Sequence, residues 1–494
     1  MSIGLSKSKY CRGIQCSKML WLDKHMPAQA ADLGLESVMS NGLKVGELAR
    51  DYFGSYSAVE FEEDKNLMAE KTKELIKNGT ENIAEASFVY DGLYCAVDIL
   101  HRDGDGFDIV EVKSSTSVEG KDIYIDDVAF QYYVLTQCGV NVKRVQLMYI
   151  NNSYERKGDL ELDKLFVLKD CTKETKQRVT DVANNIAEIR ACVENESEPQ
   201  QDIGVHCHTP YGCAYYGYCA RHVPENSIFD VVRMKSEKKY DCYRKGIISF
   251  EDIIKSGMRL SETQRQQVET EYYHHPESIK PDEIKSFLQT LSYPLYYLDF
   301  ETFQSVVPEY DGLKPYAQIP FQYSLHIEFE NGELEHREFL AKEGTDPRRA
   351  IAEKLCSDIP ENVCVLAFNA SFERTRIKEL AAALPELADH LMAINNNIHD
   401  LMIPFMKRYY YNEAMHGSYS IKSVLPALYP GDSELDYNAL DDIHNGGEAS
   451  SAFADLQNHE PDEIAAIREN LLRYCCLDTL AMVKVLDKLR KCAK

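Results

Sequence analysis

Asp98, Glu111 and Lys113 form the first spacing in this chain that could do chemistry. Leu93 to Leu100 and Phe107 to Lys113 read as strands, and Arg102-Asp103-Gly104-Asp105-Gly106 between them supplies the residues of a tight hairpin turn. With the turn centred between Gly104 and Asp105, Asp98 lies opposite Glu111, and directly opposed Cβ atoms are ~5 Å apart. Alternation puts Lys113 on the Glu111 face and Val110 and Val112 on the other. Two carboxylates so placed repel unless a divalent cation lies between them. Mg²⁺ or Mn²⁺ suits such hard oxygen ligands, and the neighbouring ammonium can orient a water or steady a phosphate. The plain alternative is an exposed hairpin edge decorated with charge.

A second acidic set lies downstream. Tyr296 to Phe303 reads as a strand on which Asp299 and Glu301 share one face, and two acids on an otherwise apolar strand are costly unless exposed or bound to cations. Glu373 falls in the first turn of a helix expected from about Ser371. Tyr474 and Asp478, four apart on an amphipathic helix, share a helix face. A third grouping is Cys207, Cys213 and Cys219, evenly spaced in a Gly- and Tyr-rich stretch, with no Cys-x-x-Cys pair anywhere in the sequence. Three thiolates turned inward would need a fourth ligand, for which His206, His208, Cys11 and Cys16 are candidates. Buried, inert thiols are the ordinary alternative.

The elements that must hold these residues fall into two mixed α/β regions. Residues 1–225 mix helical and strand patterns and contain the Cys grouping; residues 226–290 are polar and helix-like and end near Ser292-Tyr293-Pro294. Residues 291–494 run strand, hairpin (Phe321 to Phe329, the turn Asn331-Gly332, Glu333 to Leu340), helix near 346–357, strand Val363 to Phe368, then further helices. The length of 494 residues is ample for several cores at ~150 residues per domain. Asp and Glu number 80 against 55 Lys and Arg, a net charge of −25, which argues against coating nucleic acid by bulk electrostatics. It leaves room for an enzyme whose bound cations meet phosphates locally. No apolar stretch approaches membrane-spanning length, and the N-terminus lacks an apolar leader, so a cytoplasmic protein with no membrane association and mostly reduced cysteines is expected.

The first region resembles the PD-(D/E)xK nucleases of the RecB-like branch. The resemblance rests on Asp98, Glu111 and Lys113, followed on a helix by Gln131-Tyr132-Tyr133, and implies a restriction-endonuclease-like fold in which Gln131 assists the site. Leu135 stands where that branch often has Tyr, and Gly46 stands at its upstream His position, with Glu47 as a substitute or simply a solvated helix residue. The Cys grouping is similar to that of the iron–sulfur subgroup of the same branch. There one N-terminal Cys joins three later ones on a 4Fe–4S cluster, which makes Cys16 in Gln15-Cys16-Ser17-Lys18 the fourth ligand, with Cys11 second choice. The Cys spacing departs from that subgroup's commonest pattern, so Zn²⁺ is the alternative metal. Its role would be a staple between residue 16 and residues 207–219.

Residues 295–490 resemble the DEDD exonucleases of the DnaQ-like, RNase H-like superfamily. Asp299-Phe300-Glu301 matches the first motif, Phe368 to Glu373 the second with Glu in place of Asp, and Tyr474-x(3)-Asp478 the third in its tyrosine variant. The resemblance implies four carboxylates, Asp299, Glu301, Glu373 and Asp478, on two cations ~3.5–4 Å apart, with Tyr474 orienting the attacking water. Together the two halves resemble bacterial fused nucleases. The expected function is a metal-dependent nuclease with two sites that degrades or trims nucleic-acid ends. DNA, preferably single-stranded, is the expected substrate, with 3′→5′ exonuclease action in the C-terminal half and RNA as the other candidate. A protein partner that recruits substrate would offset the acidic surface. An RNA-processing exonuclease whose first half only grips substrate, and a non-catalytic nucleic-acid adaptor, are the other classes. Asp400 reads as a supporting acid or a helix cap, and Arg408-Tyr409-Tyr410-Tyr411 as a surface for stacking bases or, as aromatic runs more often are, packing.

Overall fold

The computed structural model describes residues 4–34, 36–440 and 442–494, with backbone alone for 36–38 and 438. The chain divides into two compact units, Met1–His222 with Ser305–Tyr316, and Val223–Gln304 with Ala317–Lys494. Each is α/β and built on its own mixed sheet. Among the described residues no helix is long and apolar enough to cross a membrane, and all fifteen cysteines are free thiols.

The first unit holds a seven-stranded sheet. Its strands are β1 (Leu5–Ser6), β2 (Ser57–Ala58), β3 (Asn82–Tyr90), β4 (Leu93–Asp103), β5 (Gly106–Lys113), β6 (Val142–Ile150) and β7 (Phe166–Asp170). The order is β2-β3-β4-β5-β6-β7, with β1 running parallel to β4. Strands β4 and β5 form the expected hairpin in the expected register: Ile99 pairs with Val110 and Asp103 with Gly106, and Gly104 takes the left-handed turn position at φ +60°. Parallel pairing of β5 with β6 requires a crossover, and the helix Asp122–Gln137 supplies it. Its Val128, Ala129, Phe130, Val134 and Leu135 close the core over the sheet. The helix Lys7–Gln15 is capped by Ser6, whose Oγ accepts from Lys9 N–H, and Tyr10 stacks on Phe130 at 4.7 Å.

The second unit holds a five-stranded sheet and a small two-stranded one. The pair is β8 (Ser278–Ile279) with β14 (Tyr410–Tyr411); the sheet is β9 (Leu295–Gln304), β10 (Gln318–Glu328), β11 (Leu334–Leu340), β12 (Cys364–Ala367) and β13 (Ile398–Asp400). Its order is β11-β10-β9-β12-β13, with β9, β10 and β11 antiparallel and β9, β12 and β13 parallel. Helices Arg348–Asp358, Ser371–Ala383 and Ala388–Asn396 pack on one face through Tyr323, Leu325, Ile327, Leu355, Ile377 and their neighbours. The 32-residue helix Pro461–Cys492 lies on the other, where β10 presents the buried polar side chains Gln322, Ser324, His326 and Glu328. Residues 226–290, read as a helical bridge, contain helices Ser236–Arg244, Phe250–Ser256, Glu262–Tyr273 and Pro281–Leu288, and belong to this second unit. The tyrosine run packs as read: Tyr410 and Tyr411 are buried and donate to Glu277 and Glu271.

Two glycines in the first unit set opposite expectations. A Cβ at Gly106 would lie 2.5 Å from Asn141 O, so Gly106→Ala must push strand backbone and should cost about 1–3 kcal/mol. Gly46 sits inside the helix Glu36–Arg50 with nothing within 4 Å of an added Cβ, so Gly46→Ala should stabilise by about 0.5–1 kcal/mol. Urea unfolding of the two variants checks both signs.

Candidate functional site

In the second unit, β9, the start of the helix Ser371–Ala383 and the middle of the helix Pro461–Cys492 bring Asp299, Glu301, Glu373 and Asp478 together. The Asp299 carboxyl feels the charges of all three others. Alternation on β9 turns Asp299 and Glu301 to one face, and both lie within 4.8 Å, ligand atom to ligand atom, of Cys475 Sγ and of each other. Glu373 is 2% exposed, and its Oε2 has no hydrogen-bond partner. Tyr437 donates to Asp478 Oδ1 at 2.6 Å and Tyr474 donates to the same carboxyl. Lys422 Nζ, 3.2 Å from the Tyr474 hydroxyl and 3.0 Å from His444 O, brings a positive charge to the group, and the Arg376 charge reaches Glu373.

Burial raises the pKa of all four carboxyls, and neighbouring acids raise those of Asp299, Glu301 and Glu373 further. Burial and the Asp478 charge push Glu301 up to about 8, and burial with Asp400 pushes Glu373 up to about 8. Burial lifts Asp478 to about 6 against hydrogen bonds from Tyr437 and Tyr474 and the Lys422 charge, and burial lifts Asp299 well above the carboxylate range. A set of hard oxygen donors in which one buried oxygen lacks any donor fits divalent cations: they would replace the missing partner and remove the repulsion. Asp400 is near enough for its charge to raise Glu373, but its carboxyl serves a turn: Oδ1 accepts from Asn369 N–H at 3.1 Å and Met402 N–H at 2.9 Å.

In the first unit the β4–β5 hairpin and the helix Asp122–Gln137 bring Asp98, Glu111, Lys113 and Gln131 together. Asp98 Oδ2 reaches across the hairpin and accepts from Val112 N–H at 2.7 Å. Glu111, 2% exposed, accepts from Lys113 at 2.8 Å and from Gln131 Nε2 at 2.7 Å. Two further residues complete the group. Asp127 accepts from Lys113 at 2.7 Å and from Gln131 at 3.0 Å, and Lys7 donates to both Glu111 oxygens at 2.9 and 3.0 Å and lies 3.6 Å from Asp98. Burial pushes Glu111 up to about 7, helped by Asp127 and Asp98. Burial opposes ionisation of Asp127 as well, but Lys113 and Lys7 outweigh it and hold that carboxyl below its ordinary range. Glu47 is exposed on the helix Glu36–Arg50 and stands as a solvated residue.

Asp127 was open to discovery in the sequence, because it lies four residues before Gln131 and so shares its helix face. Lys7, Lys422 and Tyr437 carry no local signal; only the tertiary fold brings them in.

Four cysteines of the first unit line one cavity. Cys16, Cys207, Cys213 and Cys219 line it together with Met19, Leu22, Ile203, His206 and Tyr215. Cys16 ends the helix Lys7–Gln15 and opens the helix Ser17–His25, so the N–H groups of Lys18 and Met19 point at its sulfur. Gly204 N–H points at Cys207 Sγ at 3.5 Å, and Tyr215 and Tyr216 N–H groups at Cys213. Burial nonetheless keeps the thiols protonated, with Cys16 pushed up to about 11. The cavity is lined by thiols and ringed by backbone donors, with Lys18, Gln201, Asp202 and His206 also in its wall, and this fits a group bound through thiolates. Gln15 fastens the loop by donating to His206 O and Tyr211 O at 2.8 and 2.7 Å. Cys11 lies elsewhere, beside Asp127 and Lys113, and His208 packs on Tyr216.

A pH dependence follows from the second-unit acids. The folded protein holds their protons more tightly than the unfolded chain, whose carboxyls titrate near pH ~4. Stability in chelator is therefore full below about pH 4 and declines as pH rises through the folded values, about 6 for Asp478 and about 8 for Glu301 and Glu373. Melting temperature in EDTA should fall from about pH 5 to about pH 8, and Mn²⁺ should restore more of it at the higher pH because binding releases protons. Thermal melts with and without Mn²⁺ check this; Glu301→Gln should flatten the decline.

The sequence of residues 296–420 matches a family model described as a domain of unknown function, DUF2779. That span holds Asp299, Glu301 and Glu373 and stops short of Tyr474 and Asp478. No curated protein matches the chain.

Proposed function

We propose that the chain is a metal-dependent nuclease with two active sites: a RecB-like PD-(D/E)xK domain in the first unit and a DnaQ-like DEDD exonuclease domain of the tyrosine variant in the second. The observation that carries the reading is the convergence of Asp299, Glu301, Glu373 and Asp478, three of them nearly fully buried, with one Glu373 oxygen unpartnered. In this reading the substrate is nucleic-acid ends, DNA with single strands preferred, and the C-terminal site trims 3′→5′.

Asp299, Glu301, Glu373 and Asp478 would hold Mg²⁺ or Mn²⁺ in the second unit, and Asp98 and Glu111 would do so in the first. When bound, the cations supply neutralisation of phosphate charge and activation of water. The chain's own groups do the positioning. Tyr474 Oη, within reach of Asp478 and of Lys422, holds the attacking water by a hydrogen bond. Tyr437 fixes the Asp478 carboxylate so that its other oxygen faces the site. Lys422 adds local positive charge where the phosphate would sit, which the net charge of −25 otherwise denies. In the first unit Gln131 and Lys113 orient Glu111 and Asp127, and Lys7 and Lys113 are the ammonium groups that could meet a phosphate.

Cys16, Cys207, Cys213 and Cys219 would hold a 4Fe–4S cluster. Four thiolates suit a 4Fe–4S cluster and Zn²⁺ alike, and the resemblance of the Cys grouping to the iron–sulfur subgroup favours the cluster. We assign the cluster a structural role.

Hydrolysis of end-labelled DNA and RNA by the purified protein with Mn²⁺ tests the enzyme reading. Asp299→Ala should abolish 3′→5′ trimming, and Tyr474→Phe should lower it about 10²–10⁴-fold. Glu111→Ala should remove the remaining cleavage. Tight binding without turnover, or full activity of the Asp299→Ala/Glu111→Ala double variant, would overturn it. Protein purified without oxygen should absorb visible light, and Cys16→Ser should lose that absorbance and melt at lower temperature; a colourless protein carrying zinc would replace the cluster with the single ion.

A further inference from the structure

Where the helix Pro461–Cys492 crosses β10 and β11, next to its contacts with β9, lies a donor set that the nuclease reading does not use. His326 on β10 and His336 on β11 pair directly across the antiparallel ladder, with ring centroids 4.5 Å apart. Cys476 approaches them from the helix, and the ligand atoms of the three residues lie within 4.8 Å of one another. We propose that His326, His336 and Cys476 form a structural Zn²⁺ site, with Glu338 completing the coordination.

The donor chemistry selects the ion. Two imidazoles and one thiolate are the nitrogen and sulfur ligands Zn²⁺ takes in tetrahedral sites, and Glu338 provides a carboxylate of the kind that fills a fourth position. Glu338 stands two residues after His336 on β11 and thus on the same face, and its charge reaches both His336 and Cys476. The outer contacts are also in place. Thr479 Oγ1 lies 2.7 Å from His326 Nδ1, Ser324 Oγ lies 2.9 Å from His336 Nε2, and the two hydroxyls bond each other at 2.6 Å. One nitrogen of each ring is thereby held and its plane fixed, which leaves His326 Nε2 and His336 Nδ1 as the ligand atoms. Cys476 would give up its thiol proton to solvent as the Zn–S bond forms.

Placement gives the site its purpose. Cys476 and Thr479 are three apart and face the β10–β11 edge, while Tyr474 and Asp478 on the same helix face the acidic pocket. A zinc ion here pins one face of the helix to the edge strand and so fixes the rotation and height at which the other face presents its residues. The inference stands on these side chains alone and is independent of whether the pocket cleaves nucleic acid.

Metal analysis and melting of the full chain test it. Protein stripped with chelator and titrated with Zn²⁺ should bind about one equivalent more than His336→Ala, which removes an exposed edge-strand ligand without touching the core. In a chain carrying Cys16→Ser, which removes the thiolate site of the first unit, Co²⁺ in place of zinc should give the visible bands of a tetrahedral thiolate site, and adding Cys476→Ser should abolish them. Thr479→Val should weaken zinc affinity about 10–100-fold while keeping the stoichiometry. Equal zinc content in wild type and His336→Ala, with no change in cobalt spectrum on adding Cys476→Ser, would overturn the proposal and leave the four side chains as a hydrogen-bonded packing network.

Discussion

Carboxyl groups crowded into low-dielectric surroundings are the constraint on which the second unit turns. Each buried acid loses hydration worth several kcal/mol, and mutual repulsion adds to it. Asp299, Glu301, Glu373 and Asp478 meet that condition together and respond by holding protons far above the usual range. A fold evolved only for stability would replace them with apolar residues of similar volume. Their place on β9 and on the two helices packed beside it makes sense when cations take up the charge. The first unit meets the same difficulty differently: Lys7 and Lys113 stand among Asp98, Glu111 and Asp127, so two ammonium groups balance most of three carboxyls.

The balance in the first unit depends on a residue far away in sequence. Lys7 opens the helix Lys7–Gln15, and Cys16 ends it. One rigid element of nine residues therefore joins the acidic group at one end to the cysteine cavity at the other. Gln15, at the last turn, ties the loop His206–Tyr211 to the same helix. Whatever group the four thiols hold would set the position of that helix, and with it the ammonium that bonds both oxygens of Glu111. This gives a staple remote from the carboxylates a direct physical route to them without any role in electron transfer.

Much of this was legible before any coordinates, and the reason is local. The Asp–Gly turn fixes the β4–β5 register within a few residues, so the facing of Asp98 and Glu111 followed from counting. Alternation on β9, the helix start at Ser371 and the four-residue spacing of Tyr474 and Asp478 are likewise short-range patterns. Long-range placements were not legible. Lys7 reaches Glu111 across more than a hundred residues, and Tyr437 reaches Asp478 from a segment with no strong pattern of its own. The His326–His336 pair escaped for a different reason. Each histidine taken singly looks like an ordinary strand residue, and only the hairpin register together with the rotation of a distant helix sets a thiol beside them.

The helix Pro461–Cys492 shows how one element can satisfy opposing demands. Over six residues it presents Tyr474 and Asp478 to the acidic pocket, Cys475 to the Asp299 backbone and carboxyl, and Cys476 and Thr479 to the polar face of β10. An apolar ridge would pack against a sheet face more favourably than Gln322, Ser324, His326 and Glu328 do, yet all four are buried there. Apolar packing tolerates small slides and rotations, because dispersion and area burial have little directionality. Hydrogen bonds such as Gln322 to Leu471 O and Arg490 to Glu328 do not, since they weaken within a fraction of an ångström. The polar face thus fixes the register of the helix along its length. Carboxyls that must share cations need that register held more tightly than an oily interface would hold it.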